Sequence, residues 1–389
     1  MSGHRSLAFR LYTQLRDQLG NLFLSPYSIW TALALLYPGS GGITQDELAR
    51  LLGIQDLGPV AELARLLGQR EALTARQKRL FEDSGMAKDA AITPEDMTFR
   101  LVAANKLWVQ AGYTLAPTYV DLLARSLDMT PESVDFTASP EDACRRINQW
   151  VGEATFGRIR EVITPRNLSK LTRALVANAI YFKARWAETF SAQATHDARF
   201  HRLDDSTVMV PTMRQAGYFA YAADDETQLI ELPYSNPDVV MDIVLPRRGH
   251  FAAVDSMLSM PYFYTLIGEQ NKAVYVDLSL PRFRIETSLL LAETLQALGL
   301  VDAFRTSADF TALSPEPGFH IDEVLHRTFI TVDEEGTEAA AVTIPMMDGA
   351  GMPPKAIEVR VDRPFFFVVR DVPSNSILFL GRCVDPSVR

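Results

Sequence analysis

The sequence predicts an α+β fold in which helices pack on large mixed or antiparallel sheets. Helical periodicity crowds roughly the first 160 residues, and apolar runs and period-two alternation take over from Leu171. Strands and helices also do not alternate as βαβ units would. With 389 residues and 47% hydrophobic content the chain can bury a large core. It carries no internal repeat and no low-complexity linker, so it reads as one domain over residues 1–389.

The elements follow in order. Ser6 is expected to cap a first helix whose Leu7, Leu11, Leu15 and Leu19 form one apolar stripe, stopped by Gly20. The stretch from Asn21 to Ile29 is a short apolar strand feeding a helix, with Ser25 as cap and Pro26 at the first helical position. That helix, Trp30 to Tyr37, is apolar nearly all round and should be buried. Thr44 to Glu47 has the pattern of a capping box before Leu48, Leu51, Leu52 and Gly53. Two further helical patterns precede residue 85, and Ala103 to Val109 reads as a strand. Ser139 and Pro140 open a helix expected to turn Ala143, Ile147, Trp150 and Ala154 inward. Ala174 to Phe182 is a long apolar run, as in a strand buried on both faces. Strands are expected near 206–213, 216–222, 228–233, 239–245 and 273–286, and a helix over Thr287 to Leu298. Two last strands, Pro364 to Arg370 and Ile377 to Val384, are joined by a turn at Val372 to Asn375.

Composition excludes several functions. A formal charge of −10 argues against nucleic acid as principal partner, and a basic cluster at Arg70, Arg76, Lys78 and Arg79 reads as a solvated helix face. No apolar run approaches the roughly 18 residues of a membrane span. The N-terminus lacks the apolar core of a signal peptide, the pattern of an intracellular product or of a trimmed secreted form. Two cysteines, Cys144 and Cys383, make no disulfide framework, and Asn167 within Asn-Leu-Ser is an incidental glycosylation acceptor. There is no Gly-x-Ser-x-Gly elbow, no His-Glu-x-x-His, no phosphate-cradling loop and no Cys-x-x-Cys. The six histidines show no metal-ligand spacing, and His326, on an apolar strand, fits a hydrogen-bonded core residue better than a catalyst. No nucleophile has a base beside it, so the chain does not read as an enzyme and calls for no cofactor or metal.

The unusual stretch runs from Asp333 to Pro354. Its C-terminal half, with Gly349, Gly351, Pro353 and Pro354, reads as an exposed loop. Its N-terminal half is expected to continue the strand Phe329 to Val332 into a run of small residues. On a strand, Thr337, Ala339, Ala341 and Thr343 share one face, and none is larger than threonine. Such a segment can enter a packed sheet without overfilling the core beneath it. Taken alone, the stretch reads better as an ordinary Gly/Ala-rich surface loop.

The acidic pair, glycine, threonine and alanine run strongly resemble the hinge and reactive-centre loop of the serpins, and the resemblance covers almost the whole chain. It rests also on Asn21 to Ile29, on Asn105 to Val109, and on Ile147 to Val151 with Thr155, Gly157 and Ile159. Leu175 to Lys183 with Trp186, Leu280 to Phe283, and Arg363 to Phe366 complete the ordered set. The resemblance implies a serpin-like domain whose reactive-centre loop spans about 334–357. Glu334, Gly336, Thr337, Ala339, Ala340, Ala341 and Thr343 fall in the hinge, and Trp186 at the breach, where the loop first enters the sheet. Ser25, Ser28, Asn178 and His326 fall in the shutter that controls parting of the main sheet, although core packing alone accounts for the same residues.

The resemblance further implies a monomeric suicide inhibitor of serine proteases, bait and spring together. On that expectation the protease would form an acyl-enzyme with the loop, and the freed loop would insert as a new strand, adding to the sheet and releasing stored strain. About 14 residues at ~3.3 Å each carry the protease ~46 Å. Family spacing from Glu334 puts the attacked bond at Ala350–Gly351, whose small side chain suits elastase-like or subtilisin-like pockets and excludes a trypsin-like preference, with a chymotrypsin-like protease as a further partner class. The stretch from Ala350 to Pro364 is longer than usual, so Met347 and Met352 are alternative baits, and Pro345 can donate no ladder bond once inserted. A serpin-fold carrier, binding protein or chaperone that inhibits nothing is the other reading.

Overall fold

The computed structural model describes residues 3–69, 100–337 and 355–388. Its strands in chain order are β1 (Leu22–Leu24), β2 (Arg100–Gln110), β3 (Glu132–Val134), β4 (Ala174–Arg185), β5 (His196–His201), β6 (Thr207–Ala223), β7 (Thr227–Pro233) and β8 (Val239–Pro246). They continue as β9 (Asn271–Pro281), β10 (Phe283–Leu290), β11 (Glu323–Val332), β12 (Gly336–Thr337), β13 (Ile357–Arg360), β14 (Phe365–Asp371) and β15 (Ser376–Cys383). One sheet has the order β1-β15-β14-β8-β7-β6-β9-β13, with β5 on β6. The other has six strands, β10-β11-β12-β4-β2-β3, with β11 also paired directly to β4. Strands of β8, β14 and β15 are buried at every position, which is why they read as unbroken apolar runs.

The first helices sit between and against these sheets. Helix α1 (Gly3–Leu15) buries Leu7, Leu11 and Leu15, but it starts before Ser6 and stops before Leu19, which is 99% exposed. The carbonyls past its end, those of Arg16, Gln18 and Gly20, are taken by the Arg382 guanidinium, so the stripe is not carried another turn. Helix α2 (Pro26–Ala34) is buried throughout and packs on β15, β4 and β2. Ser25 caps it by accepting from the Ser28 N–H at 3.1 Å, with Pro26 at the first position. Helix α3 (Gly42–Leu52) starts from Gly41, and the expected capping box does not form. Thr44 instead donates to Asp302, and Glu47 accepts the N–H groups of Val301 and Asp302, both tying the helix to a distant segment.

Three expectations are corrected in the second half. Residues 207–223 form one strand that changes partners along its length, where two had been expected. Residues 271–290 divide at Arg282 into β9 and β10, which belong to different sheets. The expected helix from Thr287 shrinks to Ala292–Ala297, because Phe283, Ile285, Thr287 and Leu289 are buried at period two while β10 pairs with β11. In the helix Pro140–Ala154 the inward residues are Ala143, Cys144, Ile147 and Val151, with Trp150 and Ala154 only half-buried. The cluster from Arg70 to Arg79 lies outside the described residues.

Close packing in the larger sheet leaves Gly381 no room for a side chain. A Cβ on Gly381 in β15 would stand 2.4 Å from the Phe367 ring and 3.0 Å from the Leu22 carbonyl. Phe367 is itself wedged between Phe23 and Phe283 at 5.6 and 5.1 Å. Gly381→Ala is expected to cost about 1–3 kcal/mol by overpacking, read as a lowered unfolding midpoint of the intact protein.

Candidate functional site

Strand β11 does not run on into the small-residue segment. The chain turns at Asp333–Glu335, and β12 comes back between β11 and β4, with Thr337 paired to Val332 on one side and to Ala184 on the other. The Asp333 N–H donates to the Gly336 carbonyl at 3.0 Å, and Gly336 returns the bond at 3.3 Å. Gly336 has φ +150°, and a Cβ there would lie 2.2 Å from the Ala184 carbonyl oxygen, so this turn needs glycine. The first residues of the expected exposed loop are therefore interior: Glu334, Glu335 and Thr337 are all buried.

Trp186 is the post on which this turn hangs. Its indole N–H donates to the Asp333 carbonyl at 3.0 Å and its backbone N–H to that of Glu335 at 2.9 Å. Its ring stacks on Tyr234 at 4.5 Å, and the Tyr234 hydroxyl bonds Thr337 Oγ1 at 2.7 Å. Glu334 is gripped by Arg282, Nε to Oε1 2.9 Å, and by the Thr195 hydroxyl, while Arg185 stands 3.2 Å from Glu335. Burial alone would raise the Glu334 carboxyl, but Arg282 and Thr195 outweigh it and hold it below the usual carboxylate range. At Asp333 next door burial prevails over the Glu335 and Gly336 N–H groups and the charge of Arg282, and pushes the carboxyl up.

Below the turn β4 and β11 pair directly and in parallel, and Asn178 stands level with His326. There Ser25, Ser28, Asn178 and His326 converge, all fully buried. The Ser25 N–H donates to His326 Nε2 at 3.1 Å, so Nε2 is unprotonated and the ring donates from Nδ1 to Asn178 Oδ1. The Asn178 amide donates to the Ser28 carbonyl at 3.0 Å, to the Ser28 hydroxyl and to Asn105 Oδ1. Asn105 passes the chain on to Thr31 Oγ1 at 2.8 Å, and Ser25 Oγ donates to the Leu378 carbonyl in the other sheet at 2.7 Å. One connected network thus ties β11, β4 and β2 to α2 and β15. Burial lowers His326 to about 3, so the ring is neutral.

The sequence reading named eight residues that the structure gathers into two places: Glu334 and Thr337 with Trp186 and Gly336 at the turn, and the four polar residues at the seam. It missed Arg282, Thr195, Arg185 and Tyr234 at the first, and Asn105 and Thr31 at the second. Asn105 and Thr31 left a signal, being polar residues in otherwise apolar segments; Tyr234 and Thr195 left none, since only the fold brings them near. Ala339, Ala340, Ala341 and Thr343, with Met347, Ala350, Gly351 and Met352, lie outside the described residues. Among the described residues no group of His, Cys, Asp and Glu is placed to hold a metal ion.

A sheet with a short strand wedged into the top of its central seam, above a buried polar clasp, is the architecture of one class of protein. A family model described as Serpin (serine protease inhibitor) matches residues 2–386, and the chain belongs to the serpin family. An uncharacterized serpin-like protein of Thermococcus kodakarensis is 37% identical over 98% of this chain and 84% of the relative. The leukocyte elastase inhibitor of Bos taurus is 31% identical, over 94% of this chain and 93% of its own. Among solved structures, the highly specific Serpin48 of the insect Tenebrio molitor superposes with a TM-score of 0.81 at 28% identity, covering 99% and 97% of the two chains. Human thyroxine-binding globulin complexed with thyroxine also gives 0.81, at 25% identity, with 100% and 98% covered.

The clasp predicts a pH dependence with a definite sign. His326, near 3 when folded, has an ordinary value of 6.5, so the unfolded chain takes up the proton first. The stability it contributes is complete above pH 6.5 and is lost progressively as pH falls towards 3. His4, buried against Ser376 and lowered to about 4, acts in the same direction. Unfolding midpoints measured from pH 7 to 4 should fall for the parent and fall less steeply for His326→Gln. Asn178→Ala leaves the His326 N–H and the Asn105 carbonyl without this partner, at roughly 1–3 kcal/mol each, and should lower the midpoint at every pH.

Proposed function

We propose that this serpin is a suicide-substrate inhibitor of serine proteases, acting as a single-domain monomer that traps the acyl-enzyme by drawing its cleaved loop into the six-stranded sheet. The observation that carries the reading is the register of β12. Thr337 pairs with Val332 and with Ala184 at once, so continuing β12 downwards fills the seam symmetrically. Six residues beyond Thr337 is Thr343; six back from Val332 is His326, and six back from Ala184 is Asn178. The existing pairing of His326 with Asn178 is the one that Thr343 would divide, on the face that Thr337 already turns into the core. The intervening Ala339 and Ala341 on that face are small enough to follow.

In this mechanism the protease attacks the loop, for which Ala350–Gly351 is the proposed bond and Met347 or Met352 the alternatives. Insertion replaces one β4–β11 ladder by two, so hydrogen bonds are gained where the uncleaved sheet had no strand. The uncleaved form is then held kinetically, by the clasp at the seam, and is not the free-energy minimum. An elastase-like protease is the favoured target because alanine is small. The similarity to the leukocyte elastase inhibitor supports inhibition, and the similarity to thyroxine-binding globulin keeps a carrier role as the second reading. The glycine turn and the small residues that follow it favour inhibition.

Incubation with an elastase or a subtilisin should give a covalent complex that survives a denaturing gel. Cleavage without complex, by every protease tried, would refute the proposal. Thr337→Arg puts a charge where Thr337 is fully buried against Tyr234, and should convert the inhibitor into a substrate: cleavage persists and complex disappears. The loop-cleaved protein should unfold at a much higher temperature than the intact one. Thr343→Val should lower the midpoint of the cleaved form while leaving that of the intact form unchanged, and Thr343→Ser should restore it.

A further inference from the structure

Between the helix Pro140–Ala154 and β4 the chain forms a strap, residues 155–173, that crosses the seam on the face opposite the clasp. On that face Leu175, Ala177 and Ala179 of β4 alternate with the inward Val176, Asn178 and Ile180. Ile159, Val162 and Ile163 of the strap are buried in one cluster with them and with Leu325 and Phe329 of β11, so the strap packs with both banks of the seam. Arg327 of β11 donates to the Glu161 carbonyl, and the Asn148 side chain takes the Val162 and Ile163 N–H groups at 2.8 and 3.2 Å. At the far end the Arg173 N–H reaches Asp322 at 2.6 Å, where β4 is about to begin.

Between these moorings lies a run of different character. Of residues 165–171 all but Leu168 are exposed, Leu171 by 68%. Leu168 is half-buried against the cluster. The polar contacts are local, from the Thr164 N–H to Asn167 at 2.9 Å and from the Ser169 N–H to Thr172 at 3.0 Å. Arg166 and Lys170 stand in this run, and neither side chain makes a hydrogen bond or ion pair among the described residues. The strap's other basic residues are placed differently. Arg158 and Arg160 flank the buried Ile159, the carbonyl after Arg160 is held by Arg327, and Arg173 precedes the buried Ala174. The bonds that follow those three cannot enter a protease cleft.

We propose that residues 165–171 are a cleavage site for a trypsin-like protease, and that this second, regulatory cut opens the seam and switches the inhibitor off. The inference rests on the inhibitory reading above. A trypsin-like protease selects lysine or arginine through an acidic pocket, and exposed loops are where chains are nicked. Segment 333–354 contains neither residue, so the two cuts belong to different proteases. Water adds across the Arg166–Asn167 or Lys170–Leu171 amide, leaving a carboxylate on one side and an amine on the other. The consequence follows from the moorings. When a third strand enters, the spacing of β4 and β11 rises from ~4.8 Å to about twice that, so a strap packed with both must let go of one. Joined to the helix at one end and to β4 at the other, the intact strap falls back into place each time it lifts. Once cut, its halves belong to separate elements, and docking again must order a free chain end. The seam then opens ahead of any target, and β12, already seated in its upper end, extends downwards with the reactive loop uncut.

The test uses the full chain carrying Lys355→Gln, which removes the exposed basic residue at the loop's far end. Brief trypsin treatment should create new amino termini at Asn167 or Leu171, identified by mass spectrometry. Arg166→Gln/Lys170→Gln in the same background should lack them, and it reports what any cuts elsewhere do. Directly after the cut, the amides of 175–180 and 323–328 should exchange about tenfold faster than in that variant treated alike. On standing, the cut protein should cease to form covalent complex with an elastase-class protease. Its reactive loop should resist that protease, and its unfolding midpoint should rise, where a passive nick would lower it. The proposal is overturned by the absence of a cut at either bond in the folded protein, or by seam exchange within twofold of the variant's. A lowered midpoint with the loop still cut at the parent rate overturns it as well. If the untreated protein forms no complex with any protease, the inhibitory reading alone falls, because exchange and loop protection do not depend on trapping.

Discussion

Six registered pairs join β4 and β11 in parallel, from Leu175 with Glu323 to Ile180 with Thr328, and above them the same strands are held apart by Gly336 and Thr337. Neighbouring strands stand about 4.8 Å apart, so two strands with a third between them stand about twice that distance apart. The seam is therefore closed at the bottom and open at the top, and the structure around it has to serve both spacings. At the open end the large side chains Trp186 and Tyr234 stack beneath the wedge and take up its backbone and side-chain polar groups. At the closed end only short polar side chains are used, and each bonds across the seam or to the helix below it.

The clasp is a compromise between two costs. Polar groups buried without partners cost about 1–3 kcal/mol each, so Asn178, His326, Asn105 and Ser28 are stable in the interior only as a set. An apolar seam of the same shape would close at least as well. Because His326 accepts from the Ser25 N–H and donates to Asn178, its tautomer is fixed by the fold, and protonation would break the set at one point. The network also reaches α2 and, through the Ser25 hydroxyl, the Leu378 carbonyl of β15, so the two sheets cannot shift independently across it.

The turn above the seam is managed by electrostatics in a different way. Consecutive acidic residues are brought into a crowded place, and Arg282 and Arg185 each take one of them. Arg282 is the residue at which β9 ends and β10 begins, where the chain crosses from one sheet to the other. The grip on Glu334 therefore sits at a corner where the chain passes directly from one sheet to the other.

Much of this was legible along the chain. Segments whose neighbours are local or whose burial is uniform declared themselves: the Ser25–Pro26 helix start, the unbroken apolar runs of β4, β14 and β15, and the turn at Val372 to Asn375. The order of motifs was enough to name the family, and the polar residues inside apolar runs marked the clasp, including Asn105 and Thr31, which were legible but unread. What the sequence could not decide were contacts made by residues far apart along it. Leu19 continues a helical stripe in sequence, yet Arg382 takes the carbonyls beyond Leu15 and the helix ends. Thr287 to Leu291 has no strong strand signal, yet β11 is there to pair with it. The segment after Val332 reads as an extension of its strand, yet Gly336 can lie against the Ala184 carbonyl only by turning back. Local propensity is worth tenths of a kcal/mol per residue, and a ladder of hydrogen bonds or a buried ion pair outweighs it wherever the fold supplies one.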